Sequence, residues 1–169
     1  MKINIKLTAE DVKMKTIKVK VYQYSELNDK AKERARSWFL EGNDMSFEWD
    51  CMKEDAKTVG IKLTEYDYRR NMKGELLLDF TQVMSNILKE HGESCETYKT
   101  AKEYQDKYVL LTEEQDEEKE ELEIEFLQSI LEDYRILMDK DYDYRETEEY
   151  ISEMMEANEY TFLEDGKRF

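Results

Sequence analysis

Proline is absent from this chain of 169 residues, and only five glycines are present. Linkers between domains are often rich in glycine or proline, and the sequence contains no such stretch. A chain of this length can bury a core of its own. The sequence therefore predicts a single domain over residues 1–169.

Cysteines and long apolar runs are also scarce. Two cysteines, Cys51 and Cys95, are too few for a disulfide framework. No apolar run approaches the roughly 18 residues that a membrane helix needs, and the N-terminus lacks the apolar segment of a signal peptide. These absences predict a reduced protein in the cytoplasm, without a membrane partner.

Residues that commonly carry enzymatic chemistry are few. The single histidine, His91, stands beside Gly92 at a predicted helix end, where a capping or surface role is the common one. The motifs HExxH, CxxC, GxGxxG and the P-loop do not occur. Cys51 falls on the same helix face as Trp49 and Met52, which predicts a buried structural thiol. The sequence thus predicts no enzyme, no catalytic residue and no cofactor.

One acidic stretch resembles the start of a calcium-binding loop. Asp139, Asp141 and Asp143 have the spacing of its first three ligands. The sixth position holds Tyr144 where the loop needs glycine for a sharp turn, and the twelfth holds Tyr150 where it needs a bidentate glutamate. We therefore predict no metal site in this stretch.

Negative charge is abundant and unevenly distributed. The chain has 42 Asp/Glu and 26 Lys/Arg, a formal net charge of −16. Residues 1–40 hold ten Lys/Arg against five Asp/Glu (+5), residues 41–90 seven against eleven (−4), and residues 91–169 nine against 26 (−17). The strongly acidic part, residues 91–169, should repel nucleic acid and attract a basic partner. Solubility alone explains a modest negative charge better than this one-sided excess.

Hydrophobic periodicity predicts an α+β fold. Alternating apolar residues predict strands at 1–7, 16–24, 61–68 and 75–78, and a terminal hairpin at 160–169 that turns at Asp165 and Gly166. The segment from Arg69 to Gly74 is the predicted turn between the strands at 61–68 and 75–78. Helical spacing predicts a first helix that begins at Ser25 or Asn28 and ends at Glu41, and a third that begins at Asp79 and ends at Gly92. The other predicted helices span residues 46–59, 96–110, 112–138 and 147–157. We expect antiparallel hairpins forming a sheet with about six helices packed on it. From about residue 93 the chain should be helical and acidic, with a connection at 139–145.

The longest predicted helix, over residues 112–138, divides into two parts. Thr112 and Gln115 have the spacing of a capping box at its start. Its second part carries an apolar stripe that predicts core contacts: Leu122, Phe126, Ile130, Leu131, Tyr134, Leu137 and Met138. Its first part, residues 113–125, holds nine Asp/Glu and one Lys.

A helix over 113–125 would present charge at a density close to that of DNA. It spans roughly 20 Å at 1.5 Å per residue, and duplex DNA carries one charge per roughly 1.7 Å. Such a helix could act as a DNA mimic in a basic groove, and the alternative is a solvated helix face. The predicted partner-binding residues are Glu113, Glu114, Asp116, Glu117, Glu118, Glu120 and Glu121, with Asp139, Asp141 and Asp143 as secondary candidates.

The first predicted helix has the opposite charge. Its basic residues are Lys30, Lys32, Arg34 and Arg36. Acidic neighbours, among them Glu33, dilute this patch, so we expect no direct contact with nucleic acid. Whether the helix around Lys30 to Arg36 also binds a partner stays open, as does homo-oligomerisation.

Segments from both halves of the chain resemble one group of proteins. They are VYQYSELNDKAKERARSWFLEG (21–42), FEWDCMKEDAKTVGIKLTEYDYRR (47–70) and SILEDYRILMDKDYDYRETEEYISEMMEANEYTFLEDGKRF (129–169). They are similar to small acidic proteins of phages and mobile elements, often labelled antitoxin-like, and some of these resemble type II anti-CRISPR proteins. This resemblance supplies no catalytic residues.

The resemblance implies a phage-derived nuclease inhibitor that serves host-defence evasion in a bacterial host cell. An RNA-guided nuclease keeps a basic channel for guide and target and reads its short DNA motif with arginines. An acidic domain could block either one by binding alone. The alternative is an antitoxin-like or regulatory protein that neutralises a basic toxin or host factor.

Overall fold

The structure, a computed structural model, describes residues 18–42, 44–112 and 114–169. Within these ranges six helices accompany one two-stranded antiparallel sheet, which confirms the predicted α+β class. The predicted strand at 1–7 lies outside the described residues. The elements in order are α1 (Asp29–Gly42), α2 (Ser46–Val59), β1 (Ile61–Asp67), β2 (Asn71–Leu76), α3 (Phe80–Glu90), α4 (Glu96–Tyr108), α5 (Asp116–Arg145) and α6 (Glu148–Ala157).

The chain divides into two compact units. Among the described residues, 18–38 and 152–169 belong to the smaller unit, and those between 39 and 151 belong to the larger. Each is described by itself below. The single domain over residues 1–169 stays a prediction.

The smaller unit is built around Phe162, which is fully buried. Its ring packs edge-on against Tyr24 and Trp38, with centroids 6.4 Å and 5.9 Å away. The backbones of Tyr22 and Phe162 exchange two hydrogen bonds, of 2.8 Å and 2.9 Å. An antiparallel bridge joins Phe162 to Arg168, which is what remains of the predicted terminal hairpin.

The prediction of a strand at 16–24 is wrong for its described part. Tyr22 forms only an isolated bridge, and Tyr24–Glu26 form a 3₁₀ turn. Val19 and Val21 are 47% and 38% exposed. The apolar face that predicted the strand is therefore not buried at these positions.

The turn at Asp165 and Gly166 is confirmed and depends on glycine. Gly166 has φ +82°, and a Cβ there would lie 2.1 Å from the carbonyl oxygen of Ala31. Its backbone N–H donates to the oxygen of Leu163 at 2.9 Å. A larger residue would therefore push the turn away from α1.

The larger unit contains the β1–β2 hairpin. Its register runs from Ile61 opposite Leu76 to Asp67 opposite Asn71. Arg69, with φ 57°, takes the left-handed position in the connecting turn. The predicted return strand at 75–78 is therefore displaced, because the chain turns before the glycine that seemed to mark the turn. That glycine, Gly74, lies inside β2 where a Cβ would be 2.8 Å from Leu131 Cδ2.

Helix α5 is the main packing element of the larger unit. It contacts α4, β2 and α2. Phe126 is fully buried and meets the rings of Phe80 and Tyr104, with centroids 5.1 Å and 5.6 Å away. The predicted apolar stripe is buried except at Leu137, which is 52% exposed.

The bounds of α5 differ from the predicted 112–138. Thr112 N–H donates to Gln115 Oε1 at 2.9 Å, but this contact precedes the helix, which begins at Asp116. The predicted connection at 139–145 is wrong, because these residues continue the helix to Arg145. Side-chain contacts stabilise the added turns, including an ion pair between Arg145 and Glu48.

Candidate partner-binding surface

The first turns of α5 present carboxylates around the helix. Of the ten residues from 116 to 125, seven are Asp or Glu, and within these ten only Leu122 is buried. Successive helical side chains point about 100° apart, so the acids are not confined to one face. We call residues 114–125, which are these ten together with Glu114 and Gln115, the acidic segment.

The acidic segment is strongly charged and attached to the core. It holds eight Asp/Glu and one base, Lys119, a formal net charge of −7. The Nζ of Lys119 lies 3.6 Å from Asp116 Oδ1. Acids in the first helical turn, which include Glu117 and Glu118, also stabilise the helix start through its dipole. Because Leu122 and Phe126 are buried, packing fixes the helix that carries these charges.

Exposed apolar residues accompany the acidic segment. Val109 and Leu110, in the connection before α5, are 70% and 80% exposed. Ile124, within the segment, is 58% exposed. Protein interfaces commonly combine apolar anchors with a polar rim. The helix predicted over 96–110 ends at Tyr108. The apolar run at 109–111 is the sequence signal that could have identified this exposed apolar patch.

The structure places the ten predicted binding residues in two groups. Glu113 lies outside the described residues. The others in the primary set are exposed: Glu114 precedes α5, and Asp116, Glu117, Glu118, Glu120 and Glu121 lie in its first turns. Asp139, Asp141 and Asp143 lie on the same helix, but Asp139 follows Glu121 by 18 residues, roughly 27 Å along the axis. The two groups are therefore separate patches.

Asp139 is engaged inside the larger unit. It is 9% exposed. Its Oδ1 accepts hydrogen bonds from the Tyr66 hydroxyl at 2.8 Å and from the Arg69 backbone N–H at 3.1 Å. Its Oδ2 forms an ion pair with Arg135. Burial, together with the bond to Asp139, raises the pKa of Tyr66 well above its usual range. This carboxylate joins α5 to the β-hairpin and presents little surface to a partner.

The other two secondary candidates, Asp141 and Asp143, are both exposed but differ in their contacts. Asp143 accepts hydrogen bonds from Tyr68 and Arg69, and these hold the pKa of its carboxyl below the usual range. Asp141 is exposed. Of the three, Asp141 is the one best placed to meet a partner.

Replacing Asp139 by Asn should destabilise the fold by about 1–3 kcal/mol, the usual cost of leaving buried polar groups unsatisfied. The amide cannot accept from Tyr66, Arg69 and Arg135 with two oxygens as the carboxylate does. Urea denaturation followed by circular dichroism measures the change. The matched control is Asp141→Asn, two residues along the same helix and exposed, which should change stability by less than about 0.5 kcal/mol. Equal effects would contradict a structural role for Asp139.

The two cysteines and the histidine are placed differently from the predictions. Both Cys51 and Cys95 are exposed free thiols, so the predicted burial of Cys51 is wrong. His91 is the C-cap residue of α3, as its position suggested, but only 10% of its side chain is exposed. Its Nδ1 lies 2.8 Å from Thr97 Oγ1.

A cavity of about 400 Å³ lies beside His91, at the ends of α3 and α4 and against α5. Asp133, on α5, lines it and accepts a hydrogen bond from the Thr100 hydroxyl at 2.7 Å. Burial raises the pKa of the Asp133 carboxyl, and the nearby Glu96 and Glu132 add to the effect of burial. The sequence offered no signal for this cavity, because its lining comes from four separate helices, α2, α3, α4 and α5.

Asp133→Asn should raise the melting temperature at pH 7. A carboxyl with a raised folded pKa binds its proton more tightly in the folded state, so its ionisation destabilises the fold as pH rises. The variant removes that cost and can still accept from Thr100. The gain should shrink as pH falls towards about 4, where aspartate is normally protonated. Thermal melts across this pH range test it, and a variant less stable than the parent at pH 7 would contradict it.

Comparison with protein-family models, characterised proteins and solved structures found no match to this chain. The resemblance based on residues 21–70 and 129–169 therefore stays an expectation. No helix within the described ranges combines the length and apolar character needed to cross a membrane. Over the same ranges, no three His, Cys, Asp or Glu side chains are grouped to hold a metal ion.

Proposed function

We propose that this protein is a non-catalytic inhibitor that inserts its acidic segment into a basic nucleic-acid-binding region of a protein partner. The partner class that we propose is a type II RNA-guided DNA nuclease, with the protein acting as a phage-derived anti-CRISPR. One observation carries the proposal: seven carboxylates follow one another over roughly 15 Å of helix, at 1.5 Å per residue, and only Leu122 is buried among those ten residues.

The charge geometry supports competition with DNA. Seven carboxylates over roughly 15 Å correspond to about one charge per 2 Å, close to the 1.7 Å of duplex DNA. A nuclease channel is lined with basic residues for guide and target. A helix held by buried Leu122 and Phe126 presents these charges with little loss of conformational freedom on binding.

Apolar contacts would supply binding affinity that surface charge alone does not. Exposed ion pairs contribute little affinity each and weaken with salt. Val109 and Leu110, which precede the acidic segment in the chain, are exposed enough to pack against a partner. The proposed interface therefore has a charged part that gives fast, salt-dependent association and an apolar part that slows dissociation.

A DNA-cleavage assay tests the proposal. Purified type II nucleases, loaded with guide, are incubated with this protein before or after target DNA is added. We expect inhibition that is strong when the protein is added first, weak when DNA is bound first, and weaker at higher salt. Lack of inhibition across several type II nucleases removes this partner class. Binding to a small basic toxin encoded beside the gene would then favour the antitoxin-like alternative.

A further inference from the structure

The cavity beside His91 has the size and lining of a small-molecule site. Its volume of about 400 Å³ lies within the range of roughly 300–1,000 Å³ typical of ligand pockets. Apolar surface comes from one side of α5, where Tyr134, Ile136 and Leu137 line it. Polar groups come from α2, from α5, and from the end of α3 through the start of α4.

The charge around the cavity is predominantly negative. Four carboxylates line it: Asp55, Glu90, Glu96 and Asp133. One lysine, Lys140, also lines it. Glu90 and Glu96 have ion pairs of their own, with Lys89 at 2.6 Å and Lys99 at 2.7 Å. An anion would therefore meet repulsion here.

The other two carboxylates are held by hydroxyl groups. The Tyr134 hydroxyl donates to Asp55 Oδ2 at 2.9 Å, and the Thr100 hydroxyl donates to Asp133 Oδ2 at 2.7 Å. A hydroxyl stabilises a carboxylate but does not neutralise it. The group that would complement this pair of aspartates is a cation.

His91 gives an independent indication of a ligand. Its side chain is 10% exposed, and its Nε2 has no hydrogen-bond partner although it lies 3.6 Å from Asp55 Oδ2. A buried polar atom without a partner is uncommon in native proteins. Since no metal-binding group of three side chains occurs among the described residues, a bound metal ion does not fit.

We propose that this cavity binds a small organic cation, with the charged group near Asp55 and Asp133 and an apolar body against Tyr134 and Leu137. His91 forms the wall of the site next to Asp55. This site is independent of the proposed nuclease inhibition, because it lies on other residues than the acidic segment.

Nuclear magnetic resonance titration of the full chain tests the site. The probes are benzylammonium, cyclohexylammonium and phenylguanidinium, with benzyl alcohol and benzoate as neutral and anionic analogues. His91 is the only histidine, so its imidazole signals are unambiguous. We expect saturable shifts at His91 and Thr97 with at least one cation, at least tenfold weaker binding of benzyl alcohol, and none of benzoate.

Three variants define the site. Asp55→Asn combined with Asp133→Asn should weaken binding of the cation at least tenfold. Leu137→Trp should block the cavity without loss of fold, because Leu137 is 52% exposed. Replacing Glu117, Glu118, Glu120 and Glu121 by Lys should leave cation binding unchanged. This result would distinguish a specific site from general attraction of the cation to an acidic protein.

Three outcomes would overturn the proposal. They are the absence of saturable shifts with all three cations, equal binding of benzoate, and a loss of cation binding in the charge-reversed variant of α5 that equals the loss in the aspartate variant.

Discussion

Replacing Glu117, Glu118, Glu120 and Glu121 by Lys should abolish inhibition while the circular dichroism spectrum stays unchanged. All four side chains are exposed, so their loss removes no core contact. Each reversal places a positive charge against a basic channel, and like charges in contact across an interface cost several kcal/mol, so four reversals should weaken binding by at least about a thousandfold. Cleavage inhibition and titration calorimetry with the nuclease measure the loss.

A second variant of equal charge change provides the control. Glu149→Lys, Glu153→Lys, Glu156→Lys and Glu164→Lys also reverse four exposed charges, at other positions in the chain. Inhibition should weaken by no more than about tenfold, the lower end of the effect that long-range attraction has on association rates. Equal losses in both variants would point to net charge and not to the acidic segment. Inhibition that survives the first variant means that α5 is not the binding surface.

Phe126→Ala should destabilise the protein by about 3–5 kcal/mol, the usual effect of deleting a buried aromatic ring. Phe126 is fully buried, and its ring meets Phe80 and Tyr104. Because α5 joins the other elements of the larger unit, the cavity left by the ring should weaken its whole core. Urea denaturation followed by far-ultraviolet circular dichroism gives the free energy of unfolding.

Ile124→Ala is the matched control for that experiment. Ile124 lies two residues earlier on the same helix and is 58% exposed. Alanine favours the helix more than isoleucine does, so the change should stay within about 0.5 kcal/mol of the parent. A loss near that of Phe126→Ala would mean that α5 packs with a different face inward.

Local patterns predicted those elements whose signals lie within a few residues. Helix α2 was predicted at 46–59, and the structure has Ser46–Val59. Its apolar residues recur at helical spacing, and Gly60, with φ 97°, takes the left-handed cap at its end. The buried stripe of α5 was also predicted, because Leu122, Phe126 and Ile130 follow one another by four residues.

The elements that were predicted wrongly depend on contacts between distant parts of the chain. No pattern near residue 139 indicates that α5 continues there. The carboxylate of Asp139 is satisfied by Tyr66 and Arg69, about 70 positions earlier in the chain. The hairpin turn was misplaced for a similar reason. Gly74 was needed for close approach to Leu131 of α5 and not for the turn.

The sequence by itself determined the charge of this protein and where it concentrates, because formal charge depends only on residue type and position. It also determined that the acids from Asp116 to Glu125 would follow one another on a helix. Only the tertiary structure decided which carboxylates remain exposed and which, like Asp139, are buried in hydrogen bonds. Folding likewise creates the cavity, because Asp55, His91 and Asp133 become neighbours only when their helices pack together.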